Sequence, residues 1–269
     1  MKRLKKIFRI TLLLIVGLTI VYFSALLIRK VRAANTPTLI YNNHFRISYI
    51  GILKSEAESI SKSLEDNYMR IRQELTDPEH DTIAVFIHST QKKFNTATGL
   101  LNSNANGVSR GPKIFHLMYQ TWFNSIFPAD MDKVAVHEFT HCVQLNILIE
   151  DAKTKYGELS NLEFDKKFEN EFADKYPQWF WEALCDYEAN IKNKSSVNYA
   201  MKKGLTLKEL NKSNQIYNLG YTIVEYMVTT YGKDKLPAFI KTYGDFENVF
   251  KINEKEFENG WKRYVEDKY

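Results

Sequence analysis

Cysteine is scarce in this chain: Cys142 and Cys185 are the only two among 269 residues. That rules out a four-cysteine zinc module and any multi-bridge disulfide framework. Glycine and proline, at 11 and 6 residues, are too few for a collagen-like chain, and 44% hydrophobic with 26% charged residues is a globular rather than a disordered balance. There is no internal repeat, no low-complexity tract, no glycine-rich phosphate loop and no RNA-binding signature. Residues 1–32 also lack any acidic side chain, while carrying eight basic ones: Lys2, Arg3, Lys5, Lys6, Arg9, Arg29, Lys30 and Arg32. The net charge of +5 less these eight leaves −3 for residues 33–269. The mild basicity therefore belongs to one segment, and no nucleic-acid partner is expected.

That segment contains an uncharged run of 19 residues, Ile10 to Ile28. As a helix it would reach about 28 Å, close to the hydrocarbon thickness of a bilayer. It is longer than the ~7–15 apolar residues usual in a cleaved signal. Five basic residues precede it and three follow, a bias that keeps the N-terminus in the cytoplasm. The expected organisation is a basic cytoplasmic tail over 1–9, a transmembrane signal-anchor over 10–28, a linker over 29–38 and a body over 39–269. The body would then face outward from the cell membrane on a single span. A body secreted after signal cleavage near Ala33 and Ala34 is the alternative, and no lipobox-like cysteine follows the run.

In the body, His44–Ile50 alternates like a strand, and Leu53–Leu75 has the spacing of an amphipathic helix. Thr82–His88 and Lys113–Tyr119 read as strands, with an Asn-, Ser- and Gly-rich loop or irregular edge over Leu101–Gly111 between them. Helical patterns dominate from Asp130 onward. Strands early and helices late predict an α+β fold, mixed over 39–148 and helical over 149–269. The charged stretch Ile149–Tyr176 reads as solvated helical surface.

The segment His137-Glu138-Phe139-Thr140-His141 is an H-E-x-x-H. Zinc takes neutral imidazoles that converge, and residues four apart on a helix differ by only about 40° in direction. Glu138 between them is placed to act on a water activated by the metal. Asp130 is a candidate cap, and Val134, Glu138, His141, Leu145 and Leu148 form one stripe. A catalytic zinc needs a third protein ligand. Glu182 lies in the apolar run Trp179-Phe180-Trp181-Glu182-Ala183-Leu184, behind a helix-starting Pro177. A carboxylate there is costly to bury unless it is paired or binds a metal, so Glu182 is the expected third ligand. Asp186, one turn later, is expected to accept the second N–H of a ligand histidine.

The H-E-x-x-H followed by P-x-W-x-x-E-(G/A)-x-x-(D/E)-Y resembles the gluzincin metallopeptidases, in particular the bacterial peptidase-MA-like domains related to thermolysin and the aminopeptidase N family. The resemblance extends to Tyr217-Asn218-Leu219-Gly220-Tyr221 and to Tyr231-Gly232, Asp245-Phe246, Phe257 and Trp261. It implies a thermolysin-like fold with the H-E-x-x-H helix at its centre. It further implies one catalytic zinc ion on His137, His141 and Glu182, with Glu138 as base, Asp186 behind a ligand and Tyr217 on the oxyanion. The substrate would be a peptide or protein. Ala183 stands where the family has glycine, and the interval from His141 to Glu182 is longer than in thermolysin. No G-x-M-E-N anchor for a substrate amino terminus is present, which points to an endopeptidase. The alternative is a catalytically silent zinc-binding or protein-interaction domain on the same fold.

Gly107-Val108-Ser109-Arg110-Gly111 matches the G-x-S-x-G of α/β-hydrolases, but Pro112 and a strand-like run follow where a helix is required. Substrate lying along an edge strand near Gly107–Tyr119 is the expectation for this segment instead. His88 and His116 read as core or edge histidines, and the two cysteines as buried thiols, although a bridge between them is conceivable.

Overall fold

The computed structural model describes residues 2–77, 82–121, 125–192 and 194–269. Helix α1 (Lys2–Arg32) comes first. Its Ile10–Arg32 stretch is long and apolar enough to span a membrane or to serve as a signal sequence. The helix begins within the basic tail rather than after it, and Met1 lies outside the described residues. Only residues 33–37 separate α1 from strand β1 (Thr38–Tyr41), and that short segment is fastened. Ala34 N–H donates to Ile52 O at 3.0 Å, and its carbonyl accepts from Gly51 N at 2.8 Å.

Strands β2 (Phe45–Ile50), β3 (Ile83–His88), β4 (Gly107–Ser109) and β5 (Ile114–Met118) join β1 in a mixed sheet of order β1-β2-β3-β5-β4. β2, β3 and β5 are parallel, while β1 and β4 pair antiparallel at the two edges. Parallel neighbours need crossovers. Helix α2 (Lys54–Glu74) makes the first, its buried stripe Ala57, Ile60, Leu64, Tyr68 and Ile71 meeting the 3.6-residue period. Helix α3 (Gln91–Thr98) lies in the second, capped by the Thr90 hydroxyl and stopped by Gly99 at positive φ.

The remainder is helical: α4 (Met131–Tyr156), α5 (Asn161–Lys175), α6 (Gln178–Glu188), α7 (Lys194–Met201), α8 (Leu207–Leu210) and α9 (Ile216–Tyr231). A 3-10 turn at Lys233–Lys235 leads into α10 (Leu236–Lys241), α11 (Phe246–Phe250) and α12 (Glu254–Lys268). The molecule is thus a mixed sheet-and-helix layer followed by helices.

Helix α4 departs from the expected stripe. Residues 135–144 are buried on every side, while Val134 and Leu145 are only half-buried. The reason is its place: α2, β4, β5, α6 and α10 all pack on it. Its middle is enclosed by the rest of the body, and its last two turns, from Glu150 on, reach solvent with charged side chains.

Candidate metal centre

Each of the two helices that meet here is fixed at its start. Asp130 caps α4, its carboxylate accepting from Lys133 N–H at 3.3 Å. Pro177 precedes α6, and the Asn211 side chain accepts from Trp179 N–H at 3.0 Å. Packing of α6 on α4 then brings Glu182 against the two histidines. Glu182 Oε2 lies 3.3 Å from His137 Nε2 and 3.9 Å from His141 Nε2. A tetrahedral ion with bonds of about 2.0–2.1 Å has ligands about 3.3 Å apart. The first pair already has that spacing, and the second needs a shift of a few tenths of an ångström. Two imidazoles and a carboxylate are a donor set that suits zinc.

The remaining ring nitrogens are both engaged. His137 Nδ1 faces Asp186 Oδ1 at 3.0 Å, and His141 Nδ1 faces Cys185 Sγ at 3.1 Å. With Nε2 turned to a metal, each Nδ1 carries the hydrogen and donates it, which fixes tautomer and ring orientation. Trp181 stacks on His141 with centroids 4.2 Å apart.

Cys185 is the residue that reading the sequence missed here. Buried His137, His141 and Cys185 form a group able to bind a metal ion, with ligand atoms within 4.8 Å of one another. Yet the thiol meets His141 at Nδ1, whereas the ring's Nε2 is the atom beside Glu182. Gln144 holds the thiol there, its Nε2 donating to Cys185 Sγ and to Trp181 O, both at 3.1 Å. The signal was available: Cys185 and Asp186 stand three and four residues after Glu182, so all three share one face of α6. Both cysteines are free thiols, and Cys142 sits apart, toward Ile114 O.

Burial by itself would depress His137, but hydrogen bonds with Asp186 and Glu182 and the charges of Asp186 and Glu138 raise its pKa well above the usual value. Three carboxylates thus create a demand for positive charge at this point, and a proton or a metal cation answers it. Burial pushes His141 down to about 3, a neutral imidazole able to ligate. Glu182 is held below the usual carboxylate range: burial opposes this, but the hydrogen bond with His137 and the charges of both histidines prevail. Glu138 is pushed up to about 7, chiefly by burial and secondarily by the charge of Glu182. A carboxylate poised near neutrality can take and return a proton.

These groups line a cleft of about 740 Å³, walled on one side by residues 104–109 and on the other by Trp181 and Tyr217. β4 forms that first wall as the sheet's edge, packed on α4. The G-x-S-x-G segment therefore runs along the cleft as strand and turn, with no nucleophile elbow. Ser109 Oγ donates to Glu138 Oε2 at 3.5 Å. Tyr217 is half-exposed at the start of α9, and burial with the charges of Glu182, Asp186 and Glu138 raises its phenol to about 12. Its place follows from the helix crossing below it. A Cβ on Gly220 would lie 3.0 Å from Ala183 Cα, so α9 and α6 touch through two small residues. Ala183 for glycine is accommodated because Gly220 faces it.

His88 and His116 lie away from this cleft, paired with each other at 2.9 Å. No protein-family model matches the chain, and no curated protein sequence matches it either.

Proposed function

We propose that this chain is a membrane-tethered, extracytoplasmic zinc metallopeptidase of gluzincin type, thermolysin-like in fold and cleaving peptide or protein substrates as an endopeptidase. The observation that carries the reading is the approach of Glu182 Oε2 to both His137 Nε2 and His141 Nε2, with Glu138 in the same cleft.

His137, His141 and Glu182 would hold the ion, with Asp186 and Cys185 orienting the two imidazoles. Zinc, when bound, supplies Lewis acidity that polarises a scissile carbonyl and acidifies a water. Glu138 takes the proton from the attacking water and hands it to the leaving amine. Tyr217 keeps its proton at neutral pH and donates a hydrogen bond to the developing oxyanion. Backbone groups of β4 offer an extended substrate the hydrogen bonds of an added strand.

The test is Glu138→Gln, assayed on unstructured protein beside a zinc determination. Hydrolysis should fall by about 10²–10⁴-fold while zinc content stays at the wild-type level. Equal cleavage by both proteins would sink the assignment. A second reading, a silent metal-binding domain using His137, His141 and Cys185, is favoured by the thiol's position beside His141. It expects bound metal, no hydrolysis by wild type, and metal lost on Cys185→Ser.

A further inference from the structure

The loop joining β5 to α4 carries two consecutive large apolar side chains that the body leaves in the open. Ile126 is 79% and Phe127 85% exposed. Burying either in an apolar phase would contribute on the order of 1.5–3 kcal/mol, so their exposure in water has a cost. The loop's two ends are held together, because Gln120 Oε1 accepts from Ala129 N–H at 2.9 Å.

The base lies beside the end of α1. β2, β3 and β5 are parallel, so their carboxyl ends emerge on one side of the sheet. Ala34 is bonded to Gly51 and Ile52 there, just past β2. Tyr119, just past β5, donates its N–H to His88 O at the end of β3. Arg29, on the last turn of α1, forms a two-pronged ion pair with Glu56 at 2.5 and 2.9 Å. Arg29, Glu56, Tyr119, Gln120, Pro128 and Ala129 then line one cleft of about 400 Å³. The same helix face that carries Arg29 also half-buries Ala25 and Leu26, and Ala33 just after the helix is half-buried too. The body is therefore clamped to the end of the apolar run, with the loop beside the clamp.

We propose that the Ser125–Pro128 loop is a second membrane contact, with Ile126 and Phe127 entering the headgroup–acyl boundary of the leaflet from which α1 emerges. The inference rests on the reading of α1 as an uncleaved span. Apolar side chains at that depth are covered by lipid, and Arg29, Lys30 and Arg32 mark the level of the headgroups. One span alone would leave the body free to tilt, whereas a span and a loop together fix which face of the body meets the bilayer.

The test uses the full chain in phosphatidylcholine–phosphatidylglycerol vesicles, with single spin labels on Leu18→Cys, Phe127→Cys and Leu162→Cys. Cys142 and Cys185 are buried and leave the labelling to the introduced thiols. Leu162 is 80% exposed beyond the far end of α4 and serves as the aqueous reference. Relaxation by oxygen relative to a polar nickel chelate should be several-fold higher at 127 than at 162, and similarly raised at 18. A lipid-like label at 18 with an aqueous one at 127 would overturn the loop contact and leave the span standing. An aqueous label at 18 would remove the span and the loop contact together. A label at 127 shielded from both reagents would also overturn the proposal, in favour of a protein partner or a second copy.

Discussion

Among the described residues two pairs of histidines touch, and they behave in opposite ways. His137 and His141 meet edge to face with centroids 4.8 Å apart, on one helix. His88 and His116 stack at 5.3 Å across two neighbouring strands, with Nε2 and Nδ1 2.9 Å apart. The helix pair faces Glu138, Glu182 and Asp186, so one imidazole is driven toward the cationic form. The strand pair is subject to burial, to mutual repulsion and to the cations Lys93 and Arg110, so both rings are driven toward neutrality. Proximity of histidines does not make a metal centre. Carboxylates that are already desolvated, and lack enough positive charge, do.

The comparison breaks most completely at Glu182. Glu182→Gln keeps the volume and removes the one carboxylate that faces both imidazole Nε2 atoms, leaving Glu138 and Asp186. Zinc should fall from one equivalent to near none, read by metal analysis after dialysis, and hydrolysis should go with it. Retention of a full equivalent would remove Glu182 from the ligand set. Asp186→Asn is milder, because the ligands stay and only the partner of His137 Nδ1 changes. Zinc affinity should weaken by about 10–100-fold in chelator competition. A variant as tight as wild type would show that the Asp186 contact orients nothing.

Cys185→Ser sharpens the comparison at smaller scale. A hydroxyl can still accept from His141 Nδ1, so zinc affinity should change less than in Asp186→Asn. A loss as complete as that of Glu182→Gln would make the thiol a ligand. Smallest is His88→Gln, which should leave zinc content unaltered and act only on pH dependence. Burial lowers His88 from 6.5 to about 4 in the folded chain. Between those values the unfolded chain binds more protons, so this contribution is complete above 6.5 and is lost as pH falls toward and through 4. Urea midpoints compared at pH 7.5 and 4.5 should show a shallower decline in the variant. Equal declines would mean that His88 titrates normally.

Much of this was legible from the chain alone. The i, i+4 histidines and the acid isolated among Trp179, Phe180 and Leu184 are local patterns, and local geometry preserves them. So were α2, β2, β3 and β5, whose periodicities of 3.6 and 2 meet the buried faces found. β1 was not, because four residues half in solvent gain their order from pairing with β2 rather than from pattern. α3 was not, since eight residues with Phe94 as the one large apolar side chain give too short a pattern to read, although Thr90 and Gly99 were caps in plain sight. The breadth of burial on α4 was also hidden, because a helix enclosed on several sides cannot be told from a striped one by period alone. Cys185 was read as ordinary core: its spacing from Glu182 put it on the site face of α6, but its partner, the His141 ring, sits 44 residues earlier on another helix, and only the packing of α6 on α4 brings the two together.

One close approach in the cleft has a consequence for the variation this fold can accept. Gly107 is on β4, where a β-branched residue would suit the strand. Yet a Cβ added there would fall 2.5 Å from Glu138 Oε1 and 2.6 Å from its Cγ. The crowding atoms belong to a side chain able to rotate, so an alanine at 107 can be absorbed by swinging the carboxylate aside. Selection for a folded chain would therefore be lenient at this position, and selection for a working Glu138 would accept a single letter. A library varied at residue 107 and sorted first by expression and then by function would separate the two pressures at one codon.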